Sequence, residues 1–415
     1  MSRQQTFVIV GASLTGAKAA ETLRAEGFDG RVVLLGEEPE RPYERPPLSK
    51  DYLRGDVGPE KVFVHDQAFY AEHGIEVRTA TRVAALDPAG HEVVLDGGER
   101  LAYDKLLLAT GASPRRLSVP GADLGGVRYL RTLADAESLR EAIRGAGAVA
   151  VIGAGWIGSE VAASARQVGR AVAMVDHAPV PLAHVLGPEV GGVYRNLHAD
   201  HGVELHLGTG VESIRGTGQV QEIRTTDGRT IPADVVVVGV GAVPRVELAA
   251  AAGLAVEDGI VVDEQLRTSA PDVFAAGDVA AARHPLFGTR LRVEHWANAL
   301  HQGPVAAKNM LGIPTPYDRI PYFFSDQYDL GMEYSGYAPT WDRVVFRGDP
   351  ASGQFVAFWL AGGLVVAGMN ANVWDVAAPI GDLVRSRAVI DPERLTDLHT
   401  PLEVLAAEAT GAGVG

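Results

Sequence analysis

Two glycine-rich turns, each set between an apolar run and an alanine-rich stretch, constrain this chain more than any other feature. The first reads Phe7-Val-Ile-Val-Gly11-Ala-Ser13-Leu14-Thr-Gly16. The second reads Val149-Ala-Val-Ile-Gly153-Ala-Gly155-Trp-Ile157-Gly158-Ser-Glu160. The residues ahead of each turn have strand character, and those behind it have helical periodicity. Strands are expected at 6–10 and 31–35, and again at 149–152 and 171–175, with helices at 14–26 and 157–168. A strand, a helix and a second strand at this length form a βαβ unit, because parallel strands need a long crossover. One such turn is weak evidence of a ligand. Two in register, each followed by a strand ending in an acid, imply two dinucleotides held by one chain. That is the anatomy of a protein that moves electrons from one cofactor to another.

The turns carry their own chemistry. Gly11 permits a tight bend and Gly16 lets the helix pack closely on the strand, so helix N-terminal amides can face a pyrophosphate. Glu37 follows at the spacing of the acid that binds a ribose hydroxyl. Ser13 occupies a position usually held by glycine, where it either crowds the phosphates or donates to one. The second turn is complete with Gly153, Gly155 and Gly158, and Asp176 follows it. An acid there accepts from a ribose 2′-hydroxyl and repels a 2′-phosphate, and His177, Ala178 and Pro179 bring no arginine. NADH is therefore expected over NADPH. The competing readings are a plain strand–turn–helix at the first turn and a solvated strand end at Asp176.

Composition excludes several classes. The 415 residues suit two or three domains. A net charge of −15 argues against nucleic acid as a partner. No run approaches the roughly 18 apolar residues that span a bilayer, and Phe7–Val10 leads straight into a glycine turn rather than a signal-peptide cleavage site. A cytoplasmic protein without a membrane partner is expected. The chain has no cysteine, so it has no redox disulfide, catalytic thiolate or cysteine-ligated cluster. The 12 histidines show no ligand spacing, and no metal site is expected.

Other segments read as buried strands ending near polar groups: Lys105-Leu-Leu-Leu-Ala109-Thr110-Gly111, Asp234 to Gly241, and Val273-Phe-Ala-Ala-Gly277-Asp278. Asp278 either accepts from sugar-like hydroxyls or caps the structure that follows. The loop Arg41 to Lys50 combines rigid prolines with cations: Arg45 can fork onto phosphate, and Lys50 can stabilise negative charge on an electron-rich ring. An ordinary surface turn is the alternative. Residues 355–360 and 364–368 read as a β-hairpin in a separate C-terminal domain. The small-residue tail 406–415 is expected to be flexible.

With these pieces placed, the chain resembles the FAD-dependent NADH:ferredoxin reductases of bacterial oxygenase systems. The likeness covers about residues 5–400. It rests on Arg45-Pro-Pro47-Leu-Ser-Lys50, Leu108-Ala-Thr-Gly111, Gly153 to Glu160, Gly239-Val-Gly241 with Pro244, Thr268 to Asp278, Glu294-His-Trp296-Ala-Asn298 and Phe324-Ser-Asp-Gln327. It implies an α/β, glutathione-reductase-like fold with two Rossmann-type nucleotide-binding domains and a C-terminal α+β domain. The implied boundaries are 1–114 with 243–323 for FAD, 115–242 for NADH, and 324–405 for the C-terminal domain.

The implied partner is a [2Fe-2S] ferredoxin that serves a cytochrome P450 or a ring-hydroxylating oxygenase, held by a transient electrostatic contact. Carried over by motif, Glu37 binds the adenosine ribose of FAD, and Val83 and Arg131 line its adenosine side. Lys50 lies near flavin N5, Asp278 holds the ribityl chain, and Trp296 lies near the ring. Glu160 meets the nicotinamide end and pairs with Lys50, and Gly241 lets the nicotinamide approach. Arg290, Arg292, Lys308 and Arg343 are candidate docking cations. Ser13, Phe324 (where many relatives have Trp) and Arg245 (where Asn is common) depart from the family pattern. Monomer and homodimer both remain open, as do a rubredoxin partner and a signalling role in place of electron transfer.

Overall fold

A computed structural model describes residues 4–411. Two compact units divide the chain. The first comprises residues up to 44, 59–113 and 242–319; the second comprises 45–58, 114–241 and the residues from 320 onward.

In the first unit, strand β1 (Thr6–Val10) feeds helix α1 (Leu14–Ala25) through the first glycine turn. A five-stranded parallel sheet runs in the order Val273–Ala275, Lys105–Leu108, β1, Arg31–Leu35, Ile75–Arg78. The apolar runs pair in register, with Ile9 between Leu34 and Leu107. These strands are buried on both faces, which is why they read as continuous rather than alternating apolar sequence.

The second unit repeats the plan. Strand β2 (Ala148–Ile152), helix α2 (Trp156–Gln167) and strand β3 (Ala171–Asp176) follow the second glycine turn. Its parallel sheet runs Val203–Leu207, β3, β2, Val235–Val238, Val127–Arg128. The same unit carries a five-stranded antiparallel sheet ordered Tyr322–Gln327, Leu330–Gly336, Leu364–Ala371, Gln354–Ala361, Arg343–Asp349. The expected hairpin is its Gln354–Ala361 and Leu364–Ala371 pair.

Three segments bear on the expected domain boundaries. Residues 45–58 were assigned to the FAD domain, yet they group with the second unit, where Leu53 packs with Leu139, Ile143 and Val161. In the second unit the C-terminal sheet shares a core with the helix Ala183–Asp200: Phe323, Tyr334 and Trp359 pack with Leu186, Val190 and Tyr194. The tail was expected to begin at 406, but residues 406–410 continue the helix Leu402–Thr410, and Ala406 is buried. Positions 412–415 lie outside the described residues.

The two turns are built alike. The Gly11 amide donates to Leu35 O at 2.8 Å, and the Gly153 amide donates to Val175 O at 2.8 Å. Both glycines sit at positive φ, +121° and +100°. A Cβ on Gly11 would stand 2.0 Å from Ala109 O, and one on Gly153 would stand 2.3 Å from Gly239 O. The middle position differs: at Gly155 an added Cβ meets nothing within 4 Å. Gly153→Ala should therefore destabilise the protein by about 3 kcal/mol, whereas Gly155→Ala should cost under about 1 kcal/mol, the price of a poorer N-cap. Urea denaturation of the two variants checks this, and equal losses would refute it.

Candidate functional site

The first unit gathers its candidate residues around the start of α1. The Gly11 turn lies against Ala109, and Gly277 lies against Thr15 of α1, so the ends of three neighbouring strands meet one helix N-terminus. Ser13 is the N-cap of α1, but its side chain makes no capping bond; Gly155, the N-cap of α2, has no side chain to offer. Other helices differ in this respect: Thr132 and Asp135 close Leu133–Gly145 with a reciprocal capping box, whereas Ala183–Asp200 and Trp296–Met310 also lack a side-chain cap but do not begin at a glycine turn. Two long helices left without a side-chain cap, each beginning at a glycine turn, suit an external anion at the first-turn amides. This is the fit expected of dinucleotide pyrophosphates. The open space at Gly155 and the exposed Ile157 beside it add to that fit. At the corresponding place Ser13 has extended backbone and presents a hydroxyl instead of a bare backbone.

The two strand-end acids have different settings. Glu37 pairs with Arg245 at 2.6 Å and lies 4.0 Å from Arg82. Arg245 is itself fixed to the glycine-ended strand: its amide donates to Gly111 O at 2.9 Å, and its carbonyl accepts from Thr110 Oγ at 2.8 Å. Sequence reasoning missed this pair, since 208 positions separate the partners. Asp176 is nearly buried, and both of its oxygens are engaged: Oδ2 accepts from the Ala154 amide at 2.6 Å and Oδ1 from the Ala178 amide at 2.7 Å. It is more than a solvated strand end, because it braces the second glycine turn while each oxygen keeps a further lone pair.

The remaining candidates are distributed as follows. Leu14 and Gly16 are buried in α1. Val83 is buried in a small antiparallel sheet of the first unit. Asp278 is half-buried at the end of the Val273–Ala275 strand, and Trp296 opens the helix Trp296–Met310. Arg45 and Arg131 meet in the second unit, where the Arg45 guanidinium donates to Arg131 O at 2.6 Å. Pro47 lies in the short turn Pro46–Ser49 just before Lys50. Gly158 packs on Gly153 O, and Gly241 sits at φ +101° with its carbonyl accepting from the Arg115 amide at 2.9 Å.

Lys50 and Glu160 do meet. Nζ stands 3.3 Å from Glu160 Oε2, and both side chains are buried. Glu160 Oε2 also accepts from Ser49 Oγ at 2.5 Å, and Oε1 accepts from Ser325 Oγ at 2.7 Å. A buried carboxylate needs such donors, because desolvation without them is costly. Phe324 lies beside the same group, its ring centroid 5.4 Å from Lys50 Nζ. Burial among these charges raises the Asp326 carboxyl above its ordinary range, while Lys50 opposes the rise. The two serines were not legible as site residues, since nothing in their spacing sets them apart from other serines.

The proposed docking cations do not form a free patch. In the first unit Arg290 lies 3.6 Å from Glu257, Arg292 pairs with Asp258 and Glu294, and Lys308 lies 3.2 Å from Glu26; Arg343 belongs to the second unit. Among the described residues, no group of three or more His, Cys, Asp or Glu is placed to hold a metal ion, and no helix is long and apolar enough to cross a membrane.

Comparison with known proteins divides the chain near residue 320. The family described as pyridine nucleotide-disulphide oxidoreductase matches residues 5–303, and the reductase C-terminal family matches 322–406. The ferredoxin–NAD(+) reductase component of the anthranilate 1,2-dioxygenase system of Burkholderia cepacia is 43% identical, over 94% of this chain and 97% of its own length. A ferredoxin reductase from Rhodopseudomonas palustris superposes with a TM-score of 0.94 at 38% identity, covering 97% of this chain and 100% of that one. The reductase in a covalent putidaredoxin reductase–putidaredoxin complex superposes with a TM-score of 0.94 at 36% identity, covering 98% and 99%.

One buried histidine yields a pH prediction. Burial holds His198 down to about 4 from an ordinary 6.5, against a smaller opposing pull from its bond to Gln327. The unfolded chain therefore binds a proton between these values that the folded chain refuses. The corresponding stability is complete above pH 6.5 and is lost as pH falls toward 4, by up to about 3 kcal/mol. His198→Gln should flatten this part of the stability–pH curve measured by urea denaturation. An unchanged slope would count against it.

Proposed function

The chain belongs to the pyridine nucleotide-disulphide oxidoreductase family, and on that premise we propose that it is an NADH-dependent flavoprotein reductase. It passes electrons from NADH through FAD to a [2Fe-2S] ferredoxin that serves a cytochrome P450 or a ring-hydroxylating oxygenase. The observation that carries this reading is the doubled glycine turn, one in each unit, each opening a helix that no N-cap side chain closes. The absence of cysteine separates the chain from thiol chemistry on the same fold, so its electrons leave through a partner. A cytoplasmic location, where NADH is available, goes with this reading.

FAD, when bound, supplies the exchange between hydride chemistry and single-electron transfer. The residues bind, orient and tune. In the first unit, the α1 amides with Gly11, Ser13, Leu14 and Gly16 hold the FAD pyrophosphate, with Ser13 Oγ as an added donor. Glu37 takes the adenosine ribose, Ala109 to Gly111 and Gly277 wall the site, and Asp278 takes the ribityl hydroxyls. Val83 serves the adenosine and Trp296 the rest of the cofactor; the cofactor roles of Arg131, Arg45 and Pro47, residues of the second unit, are carried over from the family resemblance alone. In the second unit, Gly153 to Gly158 with Ile157 hold NADH, Asp176 takes its ribose, and Gly241 leaves room for the nicotinamide. Lys50 offers positive charge to reduced flavin, and its ion pair with Glu160 links that charge to nicotinamide binding.

Asp176→Asn should lower kcat/KM for NADH about tenfold, the weight of one hydrogen bond to a charged acceptor, and lower that for NADPH less. The ratio of the two steady-state values is the readout, and a ratio that does not narrow would remove Asp176 from coenzyme choice. The function itself is tested by anaerobic stopped flow on the yellow protein. Fast bleaching by NADH, slow bleaching by NADPH and cytochrome c reduction that requires added [2Fe-2S] ferredoxin are expected. Bleaching by neither nucleotide, or turnover indifferent to ferredoxin, would sink the proposal.

A further inference from the structure

Glu160 stands at one end of a chain of buried polar groups that the reaction scheme above does not use. Ser325 Oγ, which donates to Glu160 Oε1 at 2.7 Å, lies 3.3 Å from Gln327 Nε2. Gln327 Oε1 lies 3.0 Å from His198 Nε2, and His198 Nδ1 lies 3.3 Å from the Tyr328 hydroxyl. Ser325, Gln327 and His198 are all at most 1% exposed. The chain joins the first antiparallel hairpin of the C-terminal sheet to the helix Ala183–Asp200, and through Ser325 to α2.

With His198 neutral, only one arrangement of hydrogens satisfies every member. An ionised carboxylate accepts and cannot donate, so the single proton of Ser325 goes to Glu160. Ser325 Oγ must then accept from Gln327, which fixes the amide with Nε2 toward the serine and Oε1 toward the histidine. A flipped amide would ask Ser325 to donate twice with one proton. Oε1 accepts only, so His198 carries its proton on Nε2. Its bare Nδ1 then accepts from Tyr328 O–H. All four bonds point the same way, toward the carboxylate, and aligned bonds of this kind polarise one another. The low pKa of His198 is consistent with a neutral ring here.

A second observation comes from the backbone. Tyr328 holds φ +58°, a conformation that a bulky side chain rarely takes and that carries strain. In that conformation its hydroxyl reaches His198, and its ring stacks on His201 at 3.7 Å with planes 12° apart. Other charged or titratable groups also bear on Glu160: Lys50 contacts it, and Asp326 and Tyr194 act through the field. None of these three supplies the donor to Oε1.

We infer that Ser325, Gln327, His198 and Tyr328 form a one-way hydrogen-bond relay that positions the Glu160 carboxylate for the nicotinamide end of the bound nucleotide, with His198 as its remote control point. These are positioning residues, and the inference rests on the reading of Glu160 given under the proposed function. Ser49 and Lys50 hold the other oxygen, Oε2, so the relay decides how Oε1 is directed.

Two measurements on the holoenzyme test this separately. Long-range proton–nitrogen spectra of protein labelled with ¹⁵N-histidine report the His198 tautomer, assigned with His198→Gln. A neutral Nε2–H ring is expected, with its resonance shifted in Ser325→Ala and restored in Ser325→Thr. A Nδ1–H tautomer, or no response to Ser325→Ala, would overturn the relay. Calorimetric titration with NAD⁺ then reads its purpose. Ser325→Ala should weaken binding about tenfold and His198→Gln about threefold, with the double variant no weaker than Ser325→Ala alone, because both act through one chain. Multiplicative losses would overturn the relay. Glu160→Gln distinguishes the two levels: if it weakens NAD⁺ binding while the relay variants do not, the relay is wrong, and if it has no effect, the underlying reading of Glu160 fails while the spectra still decide the relay.

Discussion

A carbonyl oxygen seated where a side chain would otherwise stand is the contact on which each half of this protein depends. Ala109 O occupies that place over Gly11, and Gly239 O occupies it over Gly153. The approach brings a third strand against the strand–turn–helix joint and sets where the first-turn amides begin. Because the joint is made of backbone, it recurs in both units with the corresponding hydrogen bond and a first glycine at positive φ. The anion sites proposed at the two turns are thus by-products of a packing constraint. Chain that must bend this sharply, at positive φ, leaves helix amides without a side-chain partner, and an anion satisfies them.

Within the second unit a different physics takes over. Glu160 is a carboxylate out of water, and its neighbours are arranged to meet that cost: an ammonium and a hydroxyl on one oxygen, a hydroxyl on the other. Such a group is useful to a hydride-transfer protein because its charge is fixed by its surroundings and not by solvent. Lys50 and Glu160 also answer one another, so a change of charge near either is felt by both. The acids at the strand ends show the same economy on a smaller scale. Asp176 holds the glycine turn with one oxygen and the chain just beyond its own strand with the other, while Glu37 is held by an arginine that is itself pinned to the neighbouring strand.

The fold was largely legible in the sequence. The strands at Thr6–Val10, Arg31–Leu35 and Ala148–Ile152 and the helices that follow the turns lie within a residue or so of where apolar runs and glycines place them. The Lys50–Glu160 pair came from family resemblance and not from spacing, and the structure shows the contact. What escaped was the company these residues keep. Ser325 is 165 positions from Glu160, and Arg245 is 208 from Glu37. The prolines and cations of the Arg45 to Lys50 segment say nothing about which core the following Leu53 will enter, and it packs with Leu139, Ile143 and Val161. Three of the docking cations, Arg290, Arg292 and Lys308, looked available only while their acidic neighbours were unseen.

By itself the sequence determined the two βαβ units, their glycine turns, the acids that close them and the impossibility of thiol chemistry. These features are local: strand and helix periods, the sterics of a missing Cβ and the presence or absence of an atom type operate within a few residues. The tertiary structure alone decided which hydroxyls reach Glu160, which polar groups line up from Tyr328 to Ser325, and which cations have acidic neighbours. Those outcomes depend on directions and distances of a few ångströms between segments far apart in the chain. Hydrogen bonds and ion pairs are settled at that scale, and no residue pattern encodes it.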